Sequence, residues 1–309
     1  MNDQITIGVD IGGSHITSAA VDLRSNEILP GTTHSVKIDN KASKEIILKD
    51  WSTAINKTIE AANIVDMANV GFAIPGPFHY KTGVAMFEGG NDKYESLYKV
   101  SIPDELPQYI DSENVTLRFL NDATAFGVGV ATQGKAKNHN RVVVVTLGTG
   151  FGSAFIKDGV PLVNHPEVPE SGCLWDKPYK SGIADDYFST RWCVARYQEI
   201  SSIKVSGVKE IAEANTVHSR QLFEEFGKNM ADFMIPFLKK FQPQILVMGG
   251  NVSKASDLFL PTLESELHKV DVTIGFEISS LMEDAAIIGS AKLFDPTFWN
   301  LVKDDLPNL

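Results

Sequence analysis

Cysteine is nearly missing: the 309-residue chain holds two, Cys173 and Cys193. Two thiols build no disulfide framework, and their scarcity fits a reducing compartment. Basic charge is also short. Lys and Arg number 28 against 39 Asp and Glu, a formal net charge of −11. That balance argues against broad nucleic-acid or anionic-membrane binding, since such partners demand a basic face. No apolar run reaches the ~20 residues that span a bilayer. The opening MNDQITIGVDIGG enters a strand pattern at once, without the basic and apolar regions of a signal peptide. Low-complexity segments are lacking as well. The expectation is a cytoplasmic, soluble protein that binds neither nucleic acid nor membrane. An anionic small ligand stays open to it, provided backbone N–H groups, a helix terminus or a divalent cation supply local positive potential.

What the chain does have is ordinary globular composition, 43% hydrophobic and 22% charged, at a length that suggests about two domains. ITIGVDIGG, SHITSAAVDL and NEIL read as three strands joined by turns, an antiparallel meander. A helix is expected over about residues 44–62, where Ile46, Ile47, Trp51, Ala54, Ile55 and Ile59 fall at roughly helical spacing. MANVGFAIPG and VTLRFLND are further strands. The second part repeats the theme. NRVVVVTLGTGFGSAFIKDGVPL holds three strands, with a turn at Asp158-Gly159 before the third. Helical segments follow near 184–200, Val208–Ala214 and 218–241. QILVMGGNVSKA is a buried strand, and FEISSLMEDAAIIGSAKLF closes with a short strand and a helix.

Glycines mark the strand turns in GVDIGGSHITSAAVD and VTLGTGFGSAFIKDG. Dinucleotide-binding and P-loop fingerprints need a glycine turn that opens a helix. Here a strand follows each turn and no G-x-x-x-x-G-K-[ST] occurs, so both readings are poor. A glycine-rich hairpin can instead aim several N–H groups at phosphate oxygens. Gly12, Gly13, Gly148, Thr149 and Gly150 are the candidates, with Ser14 and Thr149 as hydroxyl donors. Either turn alone reads equally as an ordinary tight hairpin; two at matching places weaken that reading. Asp10 stands just before the first turn. Beside phosphate it calls for a cation between them, hence Mg²⁺, directly or through water; as a turn residue it would cap the hairpin.

In FLNDATAFG an apolar strand runs into Asn121-Asp122 and then into small residues that start a helix. One reading makes Asn121 or Asp122 the helix cap. The other makes Asp122 the general base of phosphoryl transfer, with Ala123, Ala125, Gly127 and Gly129 letting the helix pack closely behind it.

VDIGGSHITSAAVD, GFAIPGPF, LNDATAFGVG, VTLGTGFGSAF, LVMGGNVS and EDAAIIGSA stand in the order found in sugar kinases of the ROK type (repressor, open reading frame, kinase). The chain resembles that family from about residue 5 to 293, and with it the larger actin, hexokinase and heat-shock ATPase superfamily. The resemblance implies an α/β fold: two actin-like (ribonuclease H-like) βββαβαβα domains with an interdomain cleft. These are expected over 1–120 and 121–285, with a C-terminal helix over about 286–309 packing back on the first. It implies ATP-dependent phosphorylation of a hexose or N-acetylhexosamine, with Mg²⁺ and with Asp122 activating the attacking hydroxyl. Asn121 and Asp122 would hold the sugar, Pro75 and Gly76 would shape its cleft, and Asn91 would lie on a loop over it. Gly249, Gly250 and Asn251 would pass the adenine and ribose, although Asn251 also reads as a plain helix cap. A homodimer is expected because it is the commonest soluble oligomer.

One region departs from the family. Where many members carry A-G-E-x-G-H and then a cysteine-rich zinc motif, this chain reads NHPEVPESGCLWDKPYKSG. One cysteine is too few for such a site, so no structural zinc is expected. By resemblance Glu170 is the sugar-binding glutamate, with Glu167 its rival, and His165 stands in for the family histidine. Asp185, Asp186 and Arg191 read as caps and surface pairs. A sugar-responsive repressor is the rival from another class; those carry an N-terminal helix-turn-helix, whereas this chain begins with its first strand. A catalytically silent sugar-binding protein is the second rival.

Overall fold

The computed structural model describes residues 4–89 and 93–306. It divides into two compact units, the first made of Met1–Lys137, Gly159–Pro161 and Glu283–Leu309, the second of Asn138–Asp158 and Leu162–Met282.

In the first unit, β1 (Ile5–Ile11) and β2 (His15–Asp22) form a hairpin closed by residues 12–14. Both strands are almost wholly buried, as central strands rich in Ile, Val and Ala should be. The expected third strand shrinks to β3 (Glu27–Ile28), and an unanticipated β4 (His34–Lys37) pairs with the other end of β2. Helix α1 (Lys44–Ala61) buries Ile47, Leu48, Trp51, Ile55 and Ile59, an i, i+4 stripe. Then come β5 (Met67–Ile74), the short hairpin β6 (Phe78–His79) and β7 (Val84–Ala85), α2 (Ile102–Glu105), β8 (Asn114–Asn121) and α3 (Asp122–Thr132). The sheet runs β3-β2-β1-β5-β8, with β1, β5 and β8 parallel to one another.

The second unit opens with the hairpin β9 (Arg141–Leu147) and β10 (Phe151–Lys157); after β11 (Val160–Pro161), which is counted with the first unit, it continues with β12 (Pro178–Tyr179) and β13 (Gly182–Ile183). The expected helix near 184–200 is broken into α4 (Ala184–Tyr187) and α5 (Thr190–Ser201). Helices α6 (Val208–Ala214) and α7 (Val217–Phe241) lead to β14 (Ile245–Gly249), α8 (Ser256–His268) and β15 (Gly275–Ile278). The sheet order is β11-β10-β9-β14-β15, again with the first hairpin antiparallel and the later strands parallel. Counting main strands within each sheet, both read 3-2-1-4-5, which is the actin-like order.

The chain then returns to the first unit as α9 (Glu283–Ala291) and α10 (Pro296–Val302). Helix α9 meets α3 at backbone contact: a Cβ on Gly129 would lie 1.9 Å from the Ala285 carbonyl oxygen, and one on Gly289 1.8 Å from that of Ala125. Only glycine allows that approach. The Ser290 hydroxyl also accepts the Val9 N–H of β1 at 3.2 Å. Helix α3 therefore sits with the first unit, and the division falls at 137–138, one helix later than the 120–121 read from sequence. No helix among the described residues is long and apolar enough to cross a membrane.

Candidate functional site

Parallel strands carry ligands at their carboxyl ends, and in the first unit those ends gather the expected residues. Asp10 lies near the end of β1, paired with Ala73 of β5. Asn121 ends β8 opposite Ile74, so Pro75 and Gly76 follow directly beside it. Asn91 lies outside the described residues.

The turn after β1 is held from behind. Gly12 N–H donates to the His15 carbonyl at 3.0 Å, closing the hairpin. The Tyr94 hydroxyl donates to the Gly12 carbonyl at 2.5 Å, and Asn40 Nδ2 donates to the Gly13 carbonyl. A peptide group is planar and its C=O and N–H point opposite ways. Those two bonds therefore turn the Gly13 N–H away from Tyr94 and the Ser14 N–H away from Asn40. Consecutive N–H groups of this kind make an anion-binding nest. Tyr94 is itself the polar tip of an aromatic cluster, 5.7 Å from Trp51 and 5.4 Å from Phe87 between ring centroids. Burial pushes its hydroxyl far up, so it stays a donor. The Ser14 hydroxyl lies 3.3 Å from His15 Nδ1, whose Nε2 reaches Glu283 at 3.3 Å.

The two readings of Asn121-Asp122 separate cleanly. Asn121 is the cap: its side-chain oxygen accepts the N–H groups of Ala123 at 3.1 Å and Thr124 at 3.2 Å. Its Nδ2 donates to the Tyr80 hydroxyl at 3.2 Å, which donates to the Ile74 carbonyl. Asp122 occupies the first helical position and accepts Ala123 N–H at 2.8 Å. Burial raises its pKa, opposed by the N–H bonds and by the Lys93 ammonium. Asp10 is pushed up to about 8, first by burial, then by the carboxylates of Asp122 and Glu283. Lys93 lies against the turn, its Nζ 3.3 Å from where a Cβ on Gly13 would stand.

In the second unit, the carboxyl ends of β9 and β14 bring the other two glycine turns together: Gly249 pairs with Thr146, and a Cβ on Gly250, at φ +83°, would lie 2.4 Å from the Leu147 carbonyl. In the turn at 148–150, Gly148 N–H donates to the Gly150 carbonyl at 3.0 Å and Thr149 is exposed. Asp185 accepts Phe151 N–H at 2.6 Å, and Thr190 N–H donates to the Gly148 carbonyl at 2.8 Å. Arg191 pairs with the same Asp185 at 2.5 Å. Asp185 thus holds this turn and also makes, with the exposed Arg191, the surface pair expected from sequence, while Asp186 caps a helix start by accepting Ile183 N–H. Asn251 stands at the head of a 3-10 turn but makes no cap bond; its oxygen accepts from Lys254 at 3.0 Å.

The altered stretch lies on the loop between β11 and β12. Arg141 binds Glu167 at 3.2 Å and holds its carboxyl below the usual range, with Lys157 and His165 close by. His165 Nδ1 accepts Glu167 N–H at 3.3 Å. Both are thereby tied to each other, while the Glu170 carboxylate is exposed and has no ion pair among the described residues. Burial pushes the Cys173 thiol up to about 11 and that of Cys193 to about 12, so neither is a reactive thiolate. Among the described residues no cluster of three His, Cys, Asp or Glu is placed to hold a metal. Asn40, Lys93 and Tyr94 went unnoticed in the sequence; each is a polar residue in a loop, and nothing local marks its contact with a turn up to 82 residues away.

Known proteins resemble this chain. A glucokinase of Thermotoga maritima is 25% identical over 93% of this chain and 96% of its own. A xylose repressor of Bacillus spizizenii is 21% identical over 96% of this chain and 79% of its own. A ROK family glucokinase of Streptomyces griseus, solved with glucose and AMPPNP, superposes with a TM-score of 0.68 at 21% identity, covering 94% of this chain and 98% of that one. The family model for the ROK family matches residues 6–296. With the strand order, both glycine turns and Asn121-Asp122 inside that span, the chain belongs to the ROK family.

Proposed function

We propose that the protein is an ATP-dependent sugar kinase acting on a hexose or N-acetylhexosamine, with Asp122 as general base. The observation that carries this reading is the grouping at the carboxyl ends of β1 and β8: a partly buried carboxylate of raised pKa, Asp122, and a glycine turn held by its carbonyls. A raised pKa makes Asp122 a better proton acceptor for a sugar hydroxyl. The hydroxyl oxygen forms its bond to the γ-phosphorus as the bond to the bridging oxygen of ADP breaks. The hydroxyl proton passes to Asp122, and ADP carries off the leaving electron pair. Asn121, fixed by its cap and by Tyr80, holds the sugar beside it, with Pro75 and Gly76 shaping the pocket. Glu170 is the further sugar contact, since Glu167 is committed to Arg141. Gly249 and Gly250 leave flat backbone for the adenine and ribose, with Asn251 at their edge, and Gly148, Thr149 and Gly150 face the phosphates.

Mg²⁺ fits this site. Asp10 sits among the carboxylates of Asp122 and Glu283, a surplus of negative charge that its pKa of about 8 records. Asp10 would hold the ion, directly or through water, in keeping with a cation bound by few carboxylates plus phosphate oxygens. When bound it neutralises phosphate charge. The relatives named glucokinase support the kinase reading, and the repressor relative keeps a non-enzymatic one in play. A coupled assay with Mg-ATP over glucose, mannose, N-acetylglucosamine and N-acetylmannosamine decides. Turnover on any of them supports the kinase; saturable sugar binding without turnover on all four overturns it.

A further inference from the structure

Lys93 is the one cation seated against the first glycine turn among the described residues, and the sequence pattern assigns it nothing. Its position is well determined by its neighbour. Tyr94 has φ 57°, packs edge-on to Trp51 and donates to the Gly12 carbonyl, so the chain is pinned to the turn one residue later. From there the lysine stem lies over Gly13, with Cε and Nζ both 3.3 Å from where a Cβ would stand. A side chain at position 13 would push it away. Ionisable groups near the turn include Asp10, Asp122, Glu283 and His15, with Lys37 opposite His15 on the neighbouring strand and the Tyr94 hydroxyl on the Gly12 carbonyl.

We propose that Lys93 is a catalytic residue that contacts the transferred phosphoryl group, jointly with the Gly13 and Ser14 N–H groups. The inference rests on the kinase reading above. A Gly13 N–H turned away from Tyr94, a Ser14 N–H turned away from Asn40 and an ammonium against Gly13 bring three donors to one turn. A neutral sugar hydroxyl gains little from such a set, whereas a phosphoryl oxygen gains a charge-assisted bond from each donor. The same ammonium is close enough to Asp122 to oppose the effect of burial there, so it stands near both the turn and the proposed base. As the hydroxyl oxygen bonds to phosphorus and the bridging oxygen departs with ADP, Lys93 keeps its proton and offsets charge on the equatorial oxygens.

The test uses Lys93→Gln and Lys93→Arg in the full chain, on whichever sugar the wild type phosphorylates. Lys93→Gln is expected to lower kcat/KM for MgATP roughly 10- to 100-fold, with sugar KM within about twofold and most of the loss restored in Lys93→Arg. AMPPNP binding, read by titration calorimetry, should weaken in parallel. Unchanged MgATP kinetics in Lys93→Gln, or a rise confined to sugar KM, overturns the assignment while leaving the kinase intact. Thermal melts of each variant exclude unfolding, and the nucleotide-to-sugar ratio on one preparation reads the role even if stability falls. A wild type with no turnover and no AMPPNP binding would instead overturn the kinase reading itself, and this inference with it.

Discussion

The turn after β1 is gripped by two of its carbonyls, and the turn after β9 by one carbonyl and by the N–H of the residue that follows it. In the first, Tyr94 and Asn40 donate to Gly12 and Gly13, so what the turn has left to offer is donors. In the second, Asp185 takes up Phe151 N–H and Thr190 donates to Gly148, with Arg191 balancing the carboxylate. Each turn is rooted in an aromatic cluster: Tyr94 with Trp51 and Phe87, Phe151 with Phe188 and Phe233. The strand order is shared, but the titratable chemistry is not. Asp10 and Asp122, both with raised pKa, belong to the first unit, while the carboxylate beside the second turn is already paired. One scaffold used twice carries its raised-pKa carboxylates in one half, which under the proposed function is the reacting half.

That contrast orders the expected effects. Asp122→Asn should cut kcat by about 10³ or more without lowering the melting temperature, since burial disfavours the charge that is removed; kcat within tenfold of wild type would strip the first turn of its chemistry. Asp185→Ala leaves Phe151 N–H unmatched and Arg191 unpaired. MgATP KM should rise roughly tenfold with kcat within about twofold, and an equal fall in kcat would erase the division of labour.

Asp10→Asn sharpens the comparison through pH. The folded protein holds the Asp10 proton to about pH 8, the unfolded chain only to about 3.8. Its stabilising share is therefore complete below about pH 4 and is lost as pH rises through 8. In Mg²⁺-free buffer the variant should gain on wild type from pH 6 to 9, by about 2–4 °C for each kcal/mol. Melting curves that stay parallel across that range would reject the buried charge. The smallest effect belongs to Gly148→Ala, because nothing lies within 4 Å of the added Cβ. Stability should move by less than about 0.5 kcal/mol and MgATP KM by less than threefold, which direct titration can check.

Much of this was visible in the residues because it is local. The glycine turns, the strand ending on Asn121-Asp122 and the helix at 44–62 follow from spacing and residue type alone, and α1 indeed covers Lys44–Ala61. Sequence offered Asn121 or Asp122 as the cap and, against that, Asp122 as base; the structure gives the capping bonds to Asn121. Asp185 looked like a surface residue because its partners, Phe151 and Arg191, include one 34 positions away. Asn40, Lys93 and Tyr94 reach the first turn across the core, where no periodicity points. The domain boundary was placed before α3 for a similar reason: that helix belongs where it packs, against glycine-matched α9 more than 150 residues later in the chain.

That last contact has a consequence for synthesis. The first unit is split in sequence, and α3 lacks its main partner, α9, until residues 283–291 have left the ribosome, whereas the intervening second unit is nearly continuous and can close on its own. The half that carries Asp122 begins first and finishes last, so a nascent chain stalled before α9 presents the apolar side of α3 and of β1 and β5 uncovered.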